Sequence, residues 1–381
     1  MKILAVDVGT GTQDILLFDS DKEVENCYKL VLPSPTVMLA EQIRAATRRG
    51  QGVLLSGVLM GGGPCAWAAR DHAQAGYPLW VTPNAARTFD DDPQRVEAMG
   101  ATIIDEAEAV HLKGEVARLT MGDFDYPAIA AVFARFGVAL NRELAAVAVA
   151  VFDHGNAPPG VSDRLFRFEY IERRIEARNS LDSFAFLAEE VPPIMTRLAA
   201  AARLARAARP DSPVILMDTA PAAVLGALED ARVRQTRPAI VANIGNFHCL
   251  AFRLGQNGHH HPGGIEGVFE HHTGEITPRQ LEGYLTHLAQ GDLTHDQIFD
   301  SNGHGAVMFT TDSIPLDFLS VTGPRRNFLQ GSALKPYQAA PFGDMMLAGS
   351  YGLVRASAAL LPDWTEAIEA ALNGQGGKAL W

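Results

Sequence analysis

The sequence has 381 residues, of which 47% are apolar and 20% are charged, a composition typical of a folded globular protein. The 32 basic residues against 44 acidic ones give a net charge of −12, which argues against general binding to a nucleic-acid backbone. Only 3 cysteines are present, so a disulfide framework is excluded and a reducing compartment is indicated.

The sequence predicts neither a targeting segment nor a membrane helix. The apolar run Ile3–Val6 is too short for a signal peptide. The longest apolar runs, such as Ala145–Phe152, fall well short of the ~18 residues that a membrane helix needs. We therefore expect a cytoplasmic protein without a membrane partner.

The first third of the chain alternates strand and helix signals, which indicates a layered α/β architecture. The predicted strands are Met1–Val8, Asp14–Phe18, Val53–Ser56, Pro78–Thr82 and Ala145–Phe152. The predicted helices are Val37–Arg49, Cys65–Ala75, Pro93–Met99 and Tyr126–Phe136.

The middle is predicted to be helical over Asp163–Ala177 and Pro193–Ala208, and the last third returns to mixed α/β structure. Strands are expected at Val214–Met217, Ala239–Asn243, His248–Arg253, Ala306–Phe309 and Phe318–Thr322. Helices are expected at Pro221–Asp230, Pro278–Gln290 and Gly343–Leu361, with a His-rich loop over Gly255–Thr277.

The turn after the first strand carries the most informative pattern, Asp7 followed by the run Gly9-Thr10-Gly11-Thr12-Gln13. Glycines allow backbone N–H groups to approach an anion, and the threonine hydroxyls add donors. The Asp7 carboxylate stands where it could hold the water shell of a Mg²⁺ ion that bridges phosphates. The alternative is an ordinary hairpin turn capped by Asp and Thr.

A second hairpin repeats this design in the last third, with a small polar turn over Asn243–His248 that contains Gly245 and Asn246. The two strand–turn–strand openings suggest two related α/β units. Two such hairpins would clamp the phosphates of a nucleotide from two sides.

With these motifs in this order, the sequence resembles the superfamily of actin, heat-shock chaperone ATPases, and sugar and acetate kinases. Asp7–Gln13 looks like the first phosphate loop of that superfamily, and Asn243–His248 looks like the second. Val214–Gly226 and Asp344–Ala356 are similar to its two connecting elements, whose small residues let two helices cross closely. Ser320–Asn327 resembles the adenosine loop.

The resemblance implies two actin-like, ribonuclease H-like lobes with ATP and Mg²⁺ in the cleft between them. The residues that it assigns to the nucleotide are Gly9, Thr10, Gly11, Thr12, Gln13, Asn243, Gly245, Asn246, Gly323 and Pro324, with Asp7 binding Mg²⁺ through water. The superfamily usually has Asp where Asn243 stands, and Asn cannot bring a negative charge to Mg²⁺. Nucleotide binding is therefore predicted more firmly than efficient hydrolysis.

The chain also resembles a branch of this superfamily that is labelled "pyruvate formate-lyase activating enzyme-like". This resemblance rests on Asp7–Asp14, Met60–Pro64 and Thr88–Pro93. A radical activase of that kind holds an iron–sulfur cluster on closely spaced Cys thiolates. The cysteines of this chain are scattered along the sequence, so a radical activase is not predicted.

Two further turns in the first half are candidate ligand sites. The turn Gly61-Gly62-Gly63 follows a strand and precedes a helix, and consecutive glycines at such a place suit close backbone approach to a substrate. A plain structural turn is the alternative. The acidic run Asp90–Asp92 is either a cation site or, more commonly, a helix N-cap.

Catalytic roles are predicted for Asp7, Asp153 and Asp218. Asp153 and His154 follow a buried strand, at the end where α/β sheets place site residues, although a simple turn would explain them equally well. Asp218 could orient a water or a metal, or it could cap the helix that follows it.

Nine of the 12 histidines lie between His248 and His304. The triplet His259-His260-His261 and the pair His271-His272 have three open explanations: a transition-metal site, a cleft loop that contacts substrate, or a surface loop. The cleft loop is the interpretation that we carry forward, with His154, His271 and His272 as substrate-binding residues.

We expect a first lobe over residues 1–228, with a helical insertion at about 160–210, and a second lobe over 229–381. The predicted function is a Mg-ATP-dependent phosphotransferase or ATPase acting on a small acid or on a partner's cofactor. The alternatives are a nucleotide-sensing module without turnover and a metal-dependent hydrolase that uses the His-rich loop.

Overall fold

The structure is a computed structural model that describes residues 1–140, 144–255 and 264–375. The strands are β1 (Lys2–Val8), β2 (Thr12–Asp19), β3 (Tyr28–Pro33), β4 (Gly52–Gly57), β5 (Leu79–Val81), β6 (Thr102–Ile103), β7 (Val116–Met121), β8 (Leu144–Val151), β9 (Ala185–Leu187), β10 (Val214–Asp218), β11 (Ala239–Ile244), β12 (His248–Leu254), β13 (Ile265–His272), β14 (Gly305–Met308), β15 (Leu319–Thr322) and β16 (Tyr337–Gln338).

The helices lie between these strands and after them. They are α1 (Pro35–Arg48), α2 (Pro64–Gln74), α3 (Pro83–Ala86), α4 (Pro93–Ala98), α5 (Glu106–His111), α6 (Tyr126–Arg135), α7 (Asp163–Ala177), α8 (Thr196–Ala208), α9 (Thr219–Ala227), α10 (Ala231–Gln235), α11 (Pro278–Gln290), α12 (His295–Phe299), α13 (Ala348–Leu360) and α14 (Thr365–Leu372).

Two six-stranded sheets share the order of five of their strands, and each has one further strand at an edge, β9 in the first sheet and β14 in the second. In the first sheet the order is β3-β2-β1-β8-β10-β9, with an antiparallel meander of β1, β2 and β3 and with β8 parallel to β1. In the second sheet the order is β14-β13-β12-β11-β15-β16, with an antiparallel meander of β11, β12 and β13 and with β15 parallel to β11. The repeated topology confirms the predicted fold of two actin-like α/β lobes.

A third sheet of four parallel strands, in the order β6-β5-β4-β7, is inserted between β3 and β8. The sequence analysis predicts β4 and β5 but does not separate them into a sheet of their own. The strand β7 was missed because its residues alternate between partial burial and exposure and carry a charged Arg118, so no continuous apolar run marks it.

The predicted His-rich loop over residues 255–277 is wrong for part of its length, because Ile265–His272 form β13. This strand lies inside the second sheet and pairs with β12 on one side and β14 on the other. Its polar residues Glu270 and His271 are fully buried, so a polar composition was mistaken for an exposed loop. The triplet His259-His260-His261 lies outside the described residues.

The two lobes meet where α9 crosses α13. A Cβ on Gly226 would overlap the backbone carbonyl of Ala348, and a Cβ on Gly352 would overlap that of Ala222. The predicted role of small residues at this crossing is therefore confirmed. One buried core runs through the crossing and includes Ile215 of the first sheet and Val241 of the second.

All strands of the first sheet precede residue 228, and all described strands of the second sheet follow it. The helix α13, which follows the second sheet in the chain, packs on β1 of the first sheet. The division of the chain at residue 228 stays a prediction. In the described part of the chain, no helix combines the length and the apolar character that crossing a membrane requires.

Candidate functional site

A cavity of about 1240 Å³ lies between the lobes, and most of the predicted site residues line it. Those residues are Asp7, Gly9, Thr10, Thr12, Gly61, Gly62, Gly63, Asp153, His154, Asn243, Gly245, Asn246, His272, Gly323 and Pro324. The predicted residues Gly11, Gln13, Asp218 and His271 are not part of the lining.

The predicted first phosphate loop is a tight hairpin between β1 and β2. The Gly9 N–H donates to the Thr12 carbonyl over 2.9 Å, and the Ser34 hydroxyl donates to the Thr10 carbonyl over 2.6 Å. The Gln13 side chain donates to the Pro33 carbonyl over 3.0 Å, so it ties the hairpin to β3. The loop is thus fixed from behind, and its glycine-rich turn is directed at the cavity.

Asp7, at the end of β1, is held at the floor of the cavity with only 8% of its surface exposed. The Thr219 hydroxyl donates a hydrogen bond to its carboxylate. Gly349 of α13 approaches so closely that a Cβ there would overlap the carboxylate of Asp7. Burial, opposed by the Thr219 hydrogen bond, raises the pKa of Asp7 to about 7. The sequence analysis did not identify Thr219 or Gly349 as neighbours of this carboxylate.

Asp14 is paired with Asp7 in the β1–β2 register and also faces the cavity. Its Oδ1 is buried, and no hydrogen-bond partner contacts it in the described residues. Burial and the neighbouring Asp7 raise the pKa of Asp14 to about 8. Two adjacent carboxylates, one with an unpartnered oxygen, form a donor set that suits Mg²⁺ and its water shell.

The predicted second phosphate loop is closed by the same type of backbone hydrogen bond as the predicted first loop. The Gly245 N–H donates to the His248 carbonyl over 2.9 Å, as Gly9 does to Thr12. Asn243 lies at the base of this loop, against Gly323 of the predicted adenosine loop. Gly323 has a φ of +92°, and a Cβ there would lie 2.5 Å from the Asn243 side-chain oxygen. Glycine is therefore required at this turn.

The two hairpins face each other across the cleft. A Cβ on Gly11 would lie 3.0 Å from the Asn246 side-chain nitrogen. A Cβ on Gly63 would lie 2.9 Å from the ring of Phe247. The structure therefore brings together three turns, from the first, third and second sheets, that are far apart in the sequence.

The turn Gly61–Gly63 is shaped by protein contacts as well as by the cavity. The Gly61 N–H donates to the Asp123 carboxylate at 3.1 and 3.2 Å, and Arg197 forms a bidentate ion pair with the same carboxylate at 2.7 and 3.0 Å. The alternative of a structural turn thus has direct support, although the turn lines the cavity. No sequence pattern marked Asp123 or Arg197.

At the rim of the cavity, the Asp92 side chain accepts from the Gln94 N–H over 2.9 Å and so caps α4. Asp90 and Asp91 form ion pairs with Arg95 and Arg87, respectively. Helix capping, the commoner of the two predicted explanations, is therefore what the structure shows for Asp92.

Asp153 is placed at the carboxyl end of β8, as predicted, and is 3% exposed. One of its oxygens accepts from the Gly155 N–H and the other from the Leu198 N–H, each over 2.8 Å. Burial raises its pKa. Both oxygens thus hold the turn and the start of α8, which leaves the catalytic role of Asp153 a prediction.

Asp218 accepts from the Ala220 N–H over 3.2 Å and so caps α9, which was the structural alternative. Its other oxygen accepts from Arg167 over 2.6 Å. Arg167 also pairs with Glu270 at 2.7 and 2.8 Å, and all three side chains are buried. This triad links α7, β10 and β13, and therefore joins the two lobes beneath the cavity.

Four histidines meet at one end of the cavity: His154, His248, His272 and His304. His154 comes from the first lobe and the other three from the second. His271 instead points away, with its ring nitrogens 3.0 Å from the His272 carbonyl and 3.1 Å from the Ser301 hydroxyl. The crowding of histidines in the sequence was the signal for this cluster, but His248 and His304 were not predicted as site residues.

The cysteines lie in separate parts of the fold. Cys27 belongs to the central core, Cys65 to the core of the third sheet, and Cys249 to the core of the second sheet. All three thiols are buried, and burial raises the pKa of each. They share no site at which an iron–sulfur cluster could bind.

Among solved structures, the chain is similar to a ROK hexokinase from Thermus thermophilus, with 13% identity, coverage of 93% of this chain and 98% of that one, and a TM-score of 0.31. It is also similar to an activator of the 2-hydroxyisocaproyl-CoA dehydratase from Clostridium difficile with bound ADPNP, with 8% identity, coverage of 98% and 97%, and a TM-score of 0.33. This chain superposes poorly on both structures, as their TM-scores indicate. The fold is therefore assigned from the strand order of the two six-stranded sheets.

A search of curated protein sequences finds no match to this chain. One family model matches residues 60–328, which is more than half of the chain. The matched segment includes the Gly61–Gly63 turn, the predicted second phosphate loop and the predicted adenosine loop. The chain belongs to the family described as "Putative pyruvate format-lyase activating enzyme (DUF1786)".

Proposed function

We propose that this protein binds Mg-ATP in the cleft between its lobes and is an ATPase or phosphotransferase. The observation that carries the proposal is the pair of matching hairpins, Gly9–Thr12 and Gly245–His248, on opposite sides of one cavity of about 1240 Å³. A hairpin of this kind presents backbone N–H groups to an anion. Two of them suit a chain of phosphates better than a single anion.

In this proposal, residues of both lobes bind the nucleotide. Backbone N–H groups of the turns Gly9–Gln13 and Asn243–Asn246 hold the phosphates, apart from those of Gly9 and Gly245, which close the hairpins. Gly323 and Pro324 lie under the purine. Asp7 holds Mg²⁺ through water, with Asp14 beside it. The Mg²⁺ ion, when bound, supplies positive charge against the phosphates, which the two carboxylates cannot supply themselves. Because Asp7 has a pKa of about 7, its ionisation and Mg²⁺ binding favour each other.

In this proposal the acceptor binds on the third-sheet side of the cavity, beside Gly61–Gly63 and His154. Arg197 lies there and donates to the Phe152 carbonyl as well as to Asp123. Two other arginines, Arg87 and Arg95, line the same side of the cavity. Each of these guanidinium groups already pairs with an aspartate, Asp123, Asp91 or Asp90, so the proposed acidic acceptor, either a small acid or the cofactor of a partner protein, would share them with those carboxylates.

A nucleotide-sensing module without turnover is the second candidate. It is favoured by Asn243, an uncharged side chain at the base of the second loop, where a carboxylate would give Mg²⁺ a further ligand. In that case ATP would change the closure of the cleft without being consumed.

The test compares wild-type protein with Asp7→Asn and with Asp211→Asn, an exposed control far along the chain. We expect Mg²⁺-dependent ATP affinity, measured by titration calorimetry, to fall at least about tenfold in Asp7→Asn, equal to about 1.4 kcal/mol. The control should match the wild type. Absence of ATP binding by the wild-type protein would overturn the proposal, as would unchanged Mg²⁺-dependent affinity in Asp7→Asn.

ATP consumption by the same proteins separates the two candidates. Turnover by the wild type that Asp7→Asn abolishes supports an enzyme. Binding without turnover, across small acids offered as acceptors, supports the sensing module.

A further inference from the structure

We propose that His154, His248 and His304 bind one divalent first-row transition metal ion, such as Zn²⁺, with His272 as a fourth ligand. This site is separate from the Mg²⁺ position at Asp7, and it does not depend on the proposed ATP chemistry. It also differs from the His259-His260-His261 triplet that the sequence analysis considered.

The fold brings these side chains together from both lobes. His154 follows β8 in the first lobe, whereas His248 begins β12 and His272 ends β13 in the second. His248 and His272 are directly paired in the β12–β13 register. His304 precedes β14, and its backbone N–H donates to the Glu270 carbonyl over 2.9 Å.

The distances suit a metal centre after small rotations of the rings. One ring nitrogen from each of His154, His248 and His304 lies within 4.8 Å of the others. Nitrogens around tetrahedral zinc are about 3.4 Å apart, since each lies about 2.0–2.1 Å from the metal. The His272 ring centroid is 4.5 Å from that of His304 and 5.0 Å from that of His248, so His272 lies beside these three residues, although its nitrogens are outside the 4.8 Å grouping.

Three buried ring nitrogens of the cluster have no hydrogen-bond partner within the described residues. His304 is fully buried, and neither of its ring nitrogens has a hydrogen-bond partner; the Nε2 of His248 is also buried and unpartnered. Buried polar atoms in folded proteins almost always have a partner, so these atoms require an explanation. A metal ion bound between the rings would satisfy a nitrogen from each of them at once.

His272 has the outer hydrogen bond that is typical of a metal-binding histidine. Its Nδ1 lies 2.8 Å from the backbone carbonyl of Asn302. Because a carbonyl can only accept, Nδ1 carries the proton, and Nε2 keeps its lone pair for a metal.

The surroundings of the cluster do not oppose a bound cation. The nearby guanidinium of Arg167 is paired with Asp218 and Glu270, so its charge is neutralised. Phe152 lies between Arg167 and His248, with its ring 3.8 Å from each, and fixes the His248 ring.

The test uses Co²⁺ alone as the probe, since four-coordinate Co²⁺ absorbs visible light. The full-length chain carries no affinity tag, and His259, His260 and His261 are changed to Ala so that the triplet cannot bind metal. We expect one Co²⁺ per chain, displaced by Zn²⁺. In the same background, His154→Gln and His248→Gln should each weaken Co²⁺ binding at least about tenfold, while His287→Gln, on the exposed end of α11, should not.

Thermal unfolding without metal verifies that each variant is folded. Two results would overturn the proposal: no stoichiometric Co²⁺ in the triplet-substituted chain, or unchanged Co²⁺ affinity in folded His154→Gln and His248→Gln. Because ATP takes no part in these assays, failure of the ATP proposal would leave their outcome untouched.

Discussion

At the scale of single residues, the largest difference between expectation and structure concerns the buried charges. Asp218 was predicted to be catalytic because an acid after a strand often is, but its partner Arg167 lies 51 positions away and could not be recognised from the sequence. The same holds for Glu270, which is 103 positions from Arg167. Asp7 was easier to predict, because its glycine-rich turn follows it directly.

Arg167→Leu should strongly destabilise the protein, because it leaves the Asp218 and Glu270 carboxylates buried without their cation. Removal of one partner from a buried ion pair costs about 3–5 kcal/mol of the free energy of unfolding. Arg173→Leu on the same helix is the matched control, since the Arg173 side chain is 61% exposed. It should change stability by no more than about 0.5 kcal/mol.

Urea denaturation of both variants measures this difference. If Arg167→Leu and Arg173→Leu were equally stable, the triad would not join the lobes in the way that its hydrogen bonds indicate.

At the scale of elements, most helices and strands were predicted from apolar periodicity, and α11 was predicted with the bounds that the structure has. The prediction failed for β13, where both faces of the strand are buried and polar side chains face inward. The insertion that forms the third sheet was also not foreseen, because pairing between β4 and β7 joins segments about 60 residues apart in sequence. Such pairing is set by tertiary packing and leaves no local pattern.

The crossing of α9 and α13 is a property of elements that the sequence did predict. Gly226→Ala should destabilise the protein by about 3 kcal/mol, because the new methyl group would overlap the Ala348 carbonyl on the facing helix. Gly283→Ala, in α11, has no heavy atom within 4 Å of the added Cβ. It should stabilise the protein by about 0.5–1 kcal/mol through helix propensity.

Thermal or chemical unfolding measures the difference in stability between the two variants. The close approach of α9 and α13 would be contradicted if Gly226→Ala were as stable as Gly283→Ala.

At the scale of the whole molecule, the order of the motifs along the chain predicted the architecture. Each lobe begins with a hairpin, and the shared strand order of the two sheets places both hairpins at the cleft. The order of the motifs does not predict which side chains meet between the lobes. The His cluster combines one residue that follows β8 with three from the second lobe, and the arrangement of the two lobes brings them within reach of one another.

The central claim is that the cleft between the two hairpins holds the nucleotide. The most direct measurement is a crystal structure grown with Mg²⁺ and a saturating non-hydrolysable ATP analogue. The account predicts phosphate density between Gly9–Gln13 and Asn243–Asn246, with Mg²⁺ and its waters beside Asp7 and the purine above Gly323. An empty cleft under these conditions, or nucleotide bound elsewhere on the protein, would contradict it.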